Sequence, residues 1–252
     1  MRLDGQPVLA RPWGVFPYLH LGAWTVPMYS LMVGLAFVAG GSVYLLQGAR
    51  TRGGPSLAIL TASLVGGVLG AKAPYLLANV RLFLAGVRDP ELVFAGRTLL
   101  GGFLGGILAV RLTKWRLGIR TRKGDALVPA LGLGLALGRV GCFCRGCCCG
   151  KVTRLPWGVD FGDGLRRHPT ELYECLFGLA WFVFSVARPK GEAGVLFALF
   201  IGSNFTFRFG LEFIRTEAVA AWGLTNFQWV CIPVVFWSAY KLSRRNPWPT
   251  NP

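Results

Sequence analysis

Residues 57–79 read LAILTASLVGGVLGAKAPYLLAN, and Lys72 is the only charge in that run. A helix of about 20 such residues spans the hydrocarbon core of a bilayer. Further apolar segments lie at roughly 24–46, 97–112, 125–141, 172–187, 193–210 and 226–240. In lipid, backbone polar groups must be satisfied inside each helix or in a closed barrel. Barrel strands alternate apolar and polar residues, and these runs do not. The expected fold is an all-α integral membrane protein with about seven transmembrane helices. Several segments fall short of the ~20 residues of a full crossing and need their flanks to complete it.

Glycine makes up 35 of 252 residues, much of it inside the apolar runs. Small residues there let helix backbones approach closely. Only 15% of residues are charged, against about 25% in soluble domains. No linker or low-complexity tract divides the chain, so a single transmembrane domain is expected over 1–252. Residues 1–20 hold Pro7, Pro12 and Pro17. They lack the unbroken apolar core of a signal peptide and read as an amphipathic interfacial arm. Residues 142–170 read as an extramembrane segment. The net charge is +16, with the basic residues set between apolar runs. That placement favours anionic phospholipid over nucleic acid as the partner. Lys and Arg placement puts the N-terminus outside and the C-terminus inside, once the basic residues from Arg139 to Arg167 are set aside as functional.

Ionisable groups in or beside a span are costly, so they are functional candidates. LALGRVG carries Arg139; RRHPTELYE carries Arg167, His168, Glu171, Tyr173 and Glu174; NFTFRFGLEFIR carries Asn204, Arg208, Glu212 and Arg215; GGVLGAKAPY carries Lys72. Arg208, Glu212 and Arg215 fall at i, i+4 and i+7, on one helical face. Bland readings stand beside these. They are a self-satisfying Arg–Glu–Arg network, a snorkelling Arg139, a His168 that only precedes a helix-starting Pro169, and a Lys72 paired with a carboxylate.

Five cysteines crowd GRVGCFCRGCCCGK: Cys142, Cys144, Cys147, Cys148 and Cys149. The first reading is small, packable residues between spans. A Cys144–Cys147 bridge in an oxidising compartment, a soft-metal site and an acceptor role stay open. Cys175 and Cys231 lie in apolar runs and read as core. No metal and no cofactor are expected.

The ordered pieces ALGRVGCFCRG, LPWGVDF and RHPTELYE resemble the signature of the prolipoprotein diacylglyceryl transferase family. VPMYSLMVGLAF resembles its first span, with Tyr29 as the family tyrosine. GGVLGAKAPYLL is similar to the second, with Lys72 where arginine is usual. GGFLGGILAV is similar to the third, and FRFGLEFIRTE to the sixth. The resemblance covers roughly residues 17–240. It implies a seven-span enzyme of the bacterial inner membrane. Such an enzyme moves the diacylglyceryl group of phosphatidylglycerol to the lipobox cysteine of a prolipoprotein signal peptide, and glycerol phosphate leaves. It implies that Arg139 and Arg208 grip the phosphate, and that Glu212, Arg215, Tyr29 and Lys72 help bind the substrate. His168 and Glu174 become the candidate bases. Paired arginines suit phosphate chemistry. Two departures accompany the match. Leu100 stands where the family has a histidine, and Cys142 and Arg145 stand at asparagine positions. Any transfer must then use another base or an acceptor thiol that is already ionised. A cysteine-based redox or metal-handling membrane protein, and a non-catalytic phospholipid-binding homologue, are the alternative readings.

Overall fold

A computed structural model describes residues 15–22, 24–49, 57–80, 99–119, 124–188 and 194–244. Seven α-helices lie among them: α1 (Met28–Ala49), α2 (Leu57–Ala78), α3 (Leu99–Arg116), α4 (Val128–Arg145), α5 (Thr170–Ala187), α6 (Val195–Glu212) and α7 (Asn226–Ser243). Among the described residues the strands form three short antiparallel pairs: β1 (Tyr18–Leu21) with β2 (Trp24–Pro27), β3 (Val159–Asp160) with β4 (Arg166–Arg167), and β5 (Val219–Ala221) with β6 (Leu224–Thr225). Among the described residues, five helical stretches are long and apolar enough to cross a membrane: Met28–Gln47, Leu57–Leu77, Gly124–Arg145, Thr170–Ala187 and Val195–Glu212. The chain is an all-α membrane protein in this coarser sense.

The expected segments match the helices with shifted ends. The first, expected from residue 24, opens as strand β2 and turns helical at Met28. Pro27 explains the shift, because the residue before a proline is pushed to extended backbone. α4 runs on through Cys142 and Arg145, into the stretch expected to leave the membrane. Of the expected interfacial arm, residues 1–14 lie outside the described residues.

The chain divides into two compact units, Met1–Gln47 with Arg122–Pro252, and Gly48–Thr121. In the second, α2 and α3 meet through glycines. A Cβ on Gly66 would lie 2.6 Å from the Gly105 carbonyl oxygen, and one on Gly105 2.6 Å from Gly70 Cα. In the first, α4 and α5 cross at Gly132 and Gly178. A Cβ on Gly178 would sit 2.8 Å from the Gly132 oxygen. Ser238 of α7 donates to the Ala198 carbonyl of α6 at 2.5 Å, a bond between buried residues. Asp125 sits in the short 3-10 turn before α4. It accepts from Gly194 N (2.5 Å) and Phe197 N (2.7 Å), so it caps the start of α6 from a distant point in the chain. α7 opens on a capping box between Thr225 and Gln228. Large apolar side chains such as Val38, Leu69, Leu108, Leu176 and Phe236 face outward, the arrangement lipid favours and water penalises.

Candidate functional site

Glu174, on the second turn of α5, is the node of a buried charge cluster. Its Oε2 pairs with Arg139 Nη2 of α4. Its Oε1 accepts from Arg208 Nη1 of α6 at 2.8 Å, and Arg215 Nη1 lies 4.0 Å from the same oxygen. Glu212 Oε2 stands 3.2 Å from Arg208 Nη2 and 3.6 Å from Arg215 Nε. Glu212 Oε1 accepts from the Thr225 hydroxyl at 3.1 Å. Arg215 Nη2 also reaches Glu217 at 2.9 Å. The Arg208 guanidinium lies 4.9 Å from the centroid of the Phe227 ring. Arg139 and Arg208 are each 9% exposed, and Glu174 3%.

Three helices contribute because each places its charges near one end. α6 ends at Glu212, and a turn carries Arg215 N back to the Glu212 carbonyl at 3.2 Å. The expected i, i+4, i+7 network therefore forms, with its last member beyond the helix. Arg208 Nε and Arg215 Nε are buried without a hydrogen-bond partner among the described residues. Buried donors are normally satisfied, and buried ion pairs roughly break even for stability. Guanidiniums gathered around shared carboxylates, with Arg208 Nε making no hydrogen bond among the described residues, suit an anion with several oxygens, phosphate above all.

Glu171, one turn before Glu174 on α5, is fully buried, and neither carboxylate oxygen has a hydrogen-bond partner among the described residues. The sequence places Glu171 among the candidate ionisable residues without indicating a role for it. His168 precedes α5. Its Nδ1 lies 3.2 Å from the Tyr173 hydroxyl, which accepts from Trp157 Nε1 at 2.8 Å. Its contacts thus point to Tyr173 and Trp157. Arg167 is engaged by Asp163 in the loop, Nε to Oδ2 at 2.7 Å.

Tyr29, on the first turn of α1, lies against the end of α4, with the Arg145 guanidinium 5.7 Å from its ring centroid. Lys72 lies on α2, in the other compact unit. Leu100 falls in the first turn of α3, and its side chain lies outside the described residues.

The cysteine run closes α4. Gly146 adopts φ +70°. Gly146 N donates to the Phe143 carbonyl (2.9 Å) and Cys147 N to the Cys142 carbonyl (3.2 Å), the paired bonds of a Schellman turn. Cys148 follows at φ +69°. Its carbonyl accepts from Thr170 Oγ1 (2.7 Å) and Arg215 Nη1 (3.1 Å). The thiol brought next to Cys147 is therefore that of Cys142, five residues back, instead of Cys144. The sulfurs of Cys142, Cys147 and Cys148 lie within 4.8 Å of one another. Hydrogen bonds from the Cys142 and Cys147 thiols, with Arg215 beyond, hold the Cys148 thiol well below its usual range. Burial pushes the Cys149 thiol up. Cys175 and Cys231 are buried in the helices, as read from sequence.

Two features beyond the expected residues had readable signals. T-x-x-Q at Thr225–Gln228 is a capping-box pattern, and C-x-x-x-G-C at Cys142–Cys147 matches a Schellman ending. The docking of the Thr225 hydroxyl on Glu212 had no local signal.

A family model described as prolipoprotein diacylglyceryl transferase matches residues 17–243. Relatives named phosphatidylglycerol–prolipoprotein diacylglyceryl transferase align along most of the chain. One from Nitratidesulfovibrio vulgaris is 35% identical over 246 residues, covering 89% of this chain and 92% of the relative. One from Bordetella parapertussis is 33% identical over 258 residues, covering 91% and 95%. One from Geobacter sulfurreducens is 34% identical over 215 residues, covering 79% and 81%. The chain belongs to the prolipoprotein diacylglyceryl transferase family.

Proposed function

We propose that this chain transfers the diacylglyceryl group of phosphatidylglycerol to the lipobox cysteine thiol of a prolipoprotein signal peptide. It does so as a multi-pass enzyme of the bacterial inner membrane, with seven spans and 1–252 acting as one transmembrane domain. The relatives' names supply the substrate pair. The observation that carries the reading is Glu174 holding Arg139 and Arg208, one on each oxygen. Two guanidiniums from different helices are thereby fixed side by side, where a phosphodiester can bridge them. The acceptor sulfur forms a thioether bond to the diacylglyceryl carbon as the carbon–oxygen bond to phosphate breaks. Glycerol phosphate leaves with the developing charge, and the arginines stabilise it. Glu212 and Arg215 back this pair, and Tyr29 hydrogen-bonds the headgroup. Lys72 joins substrate binding on the match of its segment alone.

The thiol proton needs an acceptor, since the thiolate is the nucleophile. Glu174 is engaged on both oxygens and acts better as the positioning carboxylate. His168 remains a candidate, engaged with Tyr173. Glu171 joins it, because neither of its oxygens would have to give up a hydrogen bond to take a proton. The redox and scaffold alternatives draw no support from the family.

The test is transfer of label from phosphatidylglycerol to a lipobox peptide by purified protein. Arg139→Ala and Arg208→Ala should each cut turnover by at least about 100-fold while the protein stays inserted. Arg208→Lys should fail comparably, because an ammonium cannot reproduce a two-point contact. Near-normal turnover in either alanine variant overturns the phosphate seat.

A further inference from the structure

The turn that ends α4 gathers three sulfurs at one point. Gly146 reverses the chain so that Cys147 folds back on Cys142, and Cys148 adds its thiol from a left-handed backbone. Thr170 and Arg215 anchor that backbone through the Cys148 carbonyl. The three sulfurs lie within 4.8 Å of one another. A trigonal ion with metal–sulfur bonds of about 2.3 Å places its sulfurs about 4 Å apart, so a small inward movement completes the site. Among the described residues, the ligand atoms gathered within 4.8 Å of one another here are all sulfur, with the Glu171 carboxylate outside the group. His168 is turned to Tyr173, and His20 lies on β1 within 3.4 Å of the Thr25 hydroxyl. Sulfur-only, three-coordinate donors select soft ions, and zinc normally wants a fourth ligand.

We propose that Cys142, Cys147 and Cys148 form a three-thiolate site for one soft, thiophilic metal ion, cuprous copper fitting best. Binding forms three metal–sulfur bonds and sends the displaced thiol protons to solvent, with no change of oxidation state. The Arg215 guanidinium, bonded to the Cys148 carbonyl, offsets part of the added negative charge. Cys144 and Cys149 lie outside the group.

The experiment uses the full chain in detergent, reduced and kept free of oxygen. It is titrated with Cu(I) against a chromophoric Cu(I) chelator, with Mg(II) as control. One Cu(I) per chain is expected, with thiolate-to-copper charge-transfer absorption. Cys142→Ser, Cys147→Ser and Cys148→Ala should each lose stoichiometric binding while the thermal transition persists. Cys144→Ser and Cys231→Ser should keep it. Three outcomes overturn the proposal: no stoichiometric uptake by the wild type, wild-type uptake by Cys142→Ser or Cys147→Ser, or equal loss in Cys144→Ser. Zn(II) held as tightly as Cu(I) overturns the choice of ion.

Discussion

At the scale of the residue, one carboxylate organises the site. Glu174 bridges two guanidiniums that would otherwise repel each other at close range in a low-dielectric interior, and Glu212 beside Arg208 supplies the second negative charge. Glu174→Gln keeps the shape and removes the charge. Breaking a buried pair this way costs about 3–5 kcal/mol, and transfer should fall about 100-fold or more as the arginines separate. Thermal unfolding and turnover, measured together, check this. A variant that loses turnover with unchanged stability would instead make Glu174 the base. A second residue-scale expectation concerns Cys148. A thiol held low stays ionised as pH falls, whereas one pushed up loses its thiolate earlier. Alkylation mapped by peptide mass should therefore find Cys148 modified first at mildly acidic pH, with Cys149 following only toward alkaline pH. The reverse order would overturn the sulfur arrangement.

At the scale of the element, glycine contacts decide which helices touch. A Cβ at Gly178 would lie 2.8 Å from the Gly132 oxygen, and one at Gly105 2.6 Å from Gly70 Cα. No rotamer escapes, because the opposing atoms are backbone. Gly178→Val and Gly105→Val should each destabilise by about 1–3 kcal/mol through overpacking, or separate the helix pair outright. Among the described residues no atom lies within 4 Å of a Cβ added at Gly210 of α6, so Gly210→Ala should leave the thermal transition unchanged or raise it slightly. Melting in detergent compares the three. Asp125 works at the same scale, since its carboxylate ties the start of α6 to the turn before α4.

At the scale of the whole molecule, apolar side chains face outward and the charged cluster is enclosed, which places the protein in lipid. Basic residues near Arg50, along Arg111–Lys123 and after Lys241 predict an N-terminus outside and a C-terminus inside. A C-terminal reporter enzyme should be active only in the cytoplasm, and an impermeant thiol reagent should reach Cys148 from outside; labelling from inside alone would reverse the topology. Hydropathy is a local property, so the apolar runs, their helical nature and the placement of Arg139, Arg208, Glu212 and Arg215 near span ends could be read from the sequence, as could the resemblance in RHPTELYE. The partners could not. From the sequence Glu174 is a candidate base, and in the fold it bridges α4 and α6; the burial of Glu171 without a hydrogen-bond partner among the described residues has no local signal. C-x-x-C spacing leaves a Cys144–Cys147 bridge open beside the packing reading, whereas the left-handed Gly146 brings Cys142 next to Cys147. Which side chains meet depends on the rotation and crossing of helices far apart in sequence, set by glycine contacts such as Gly132 against Gly178. No local pattern encodes that rotation, so the tertiary structure alone decided which charges and which sulfurs share a site.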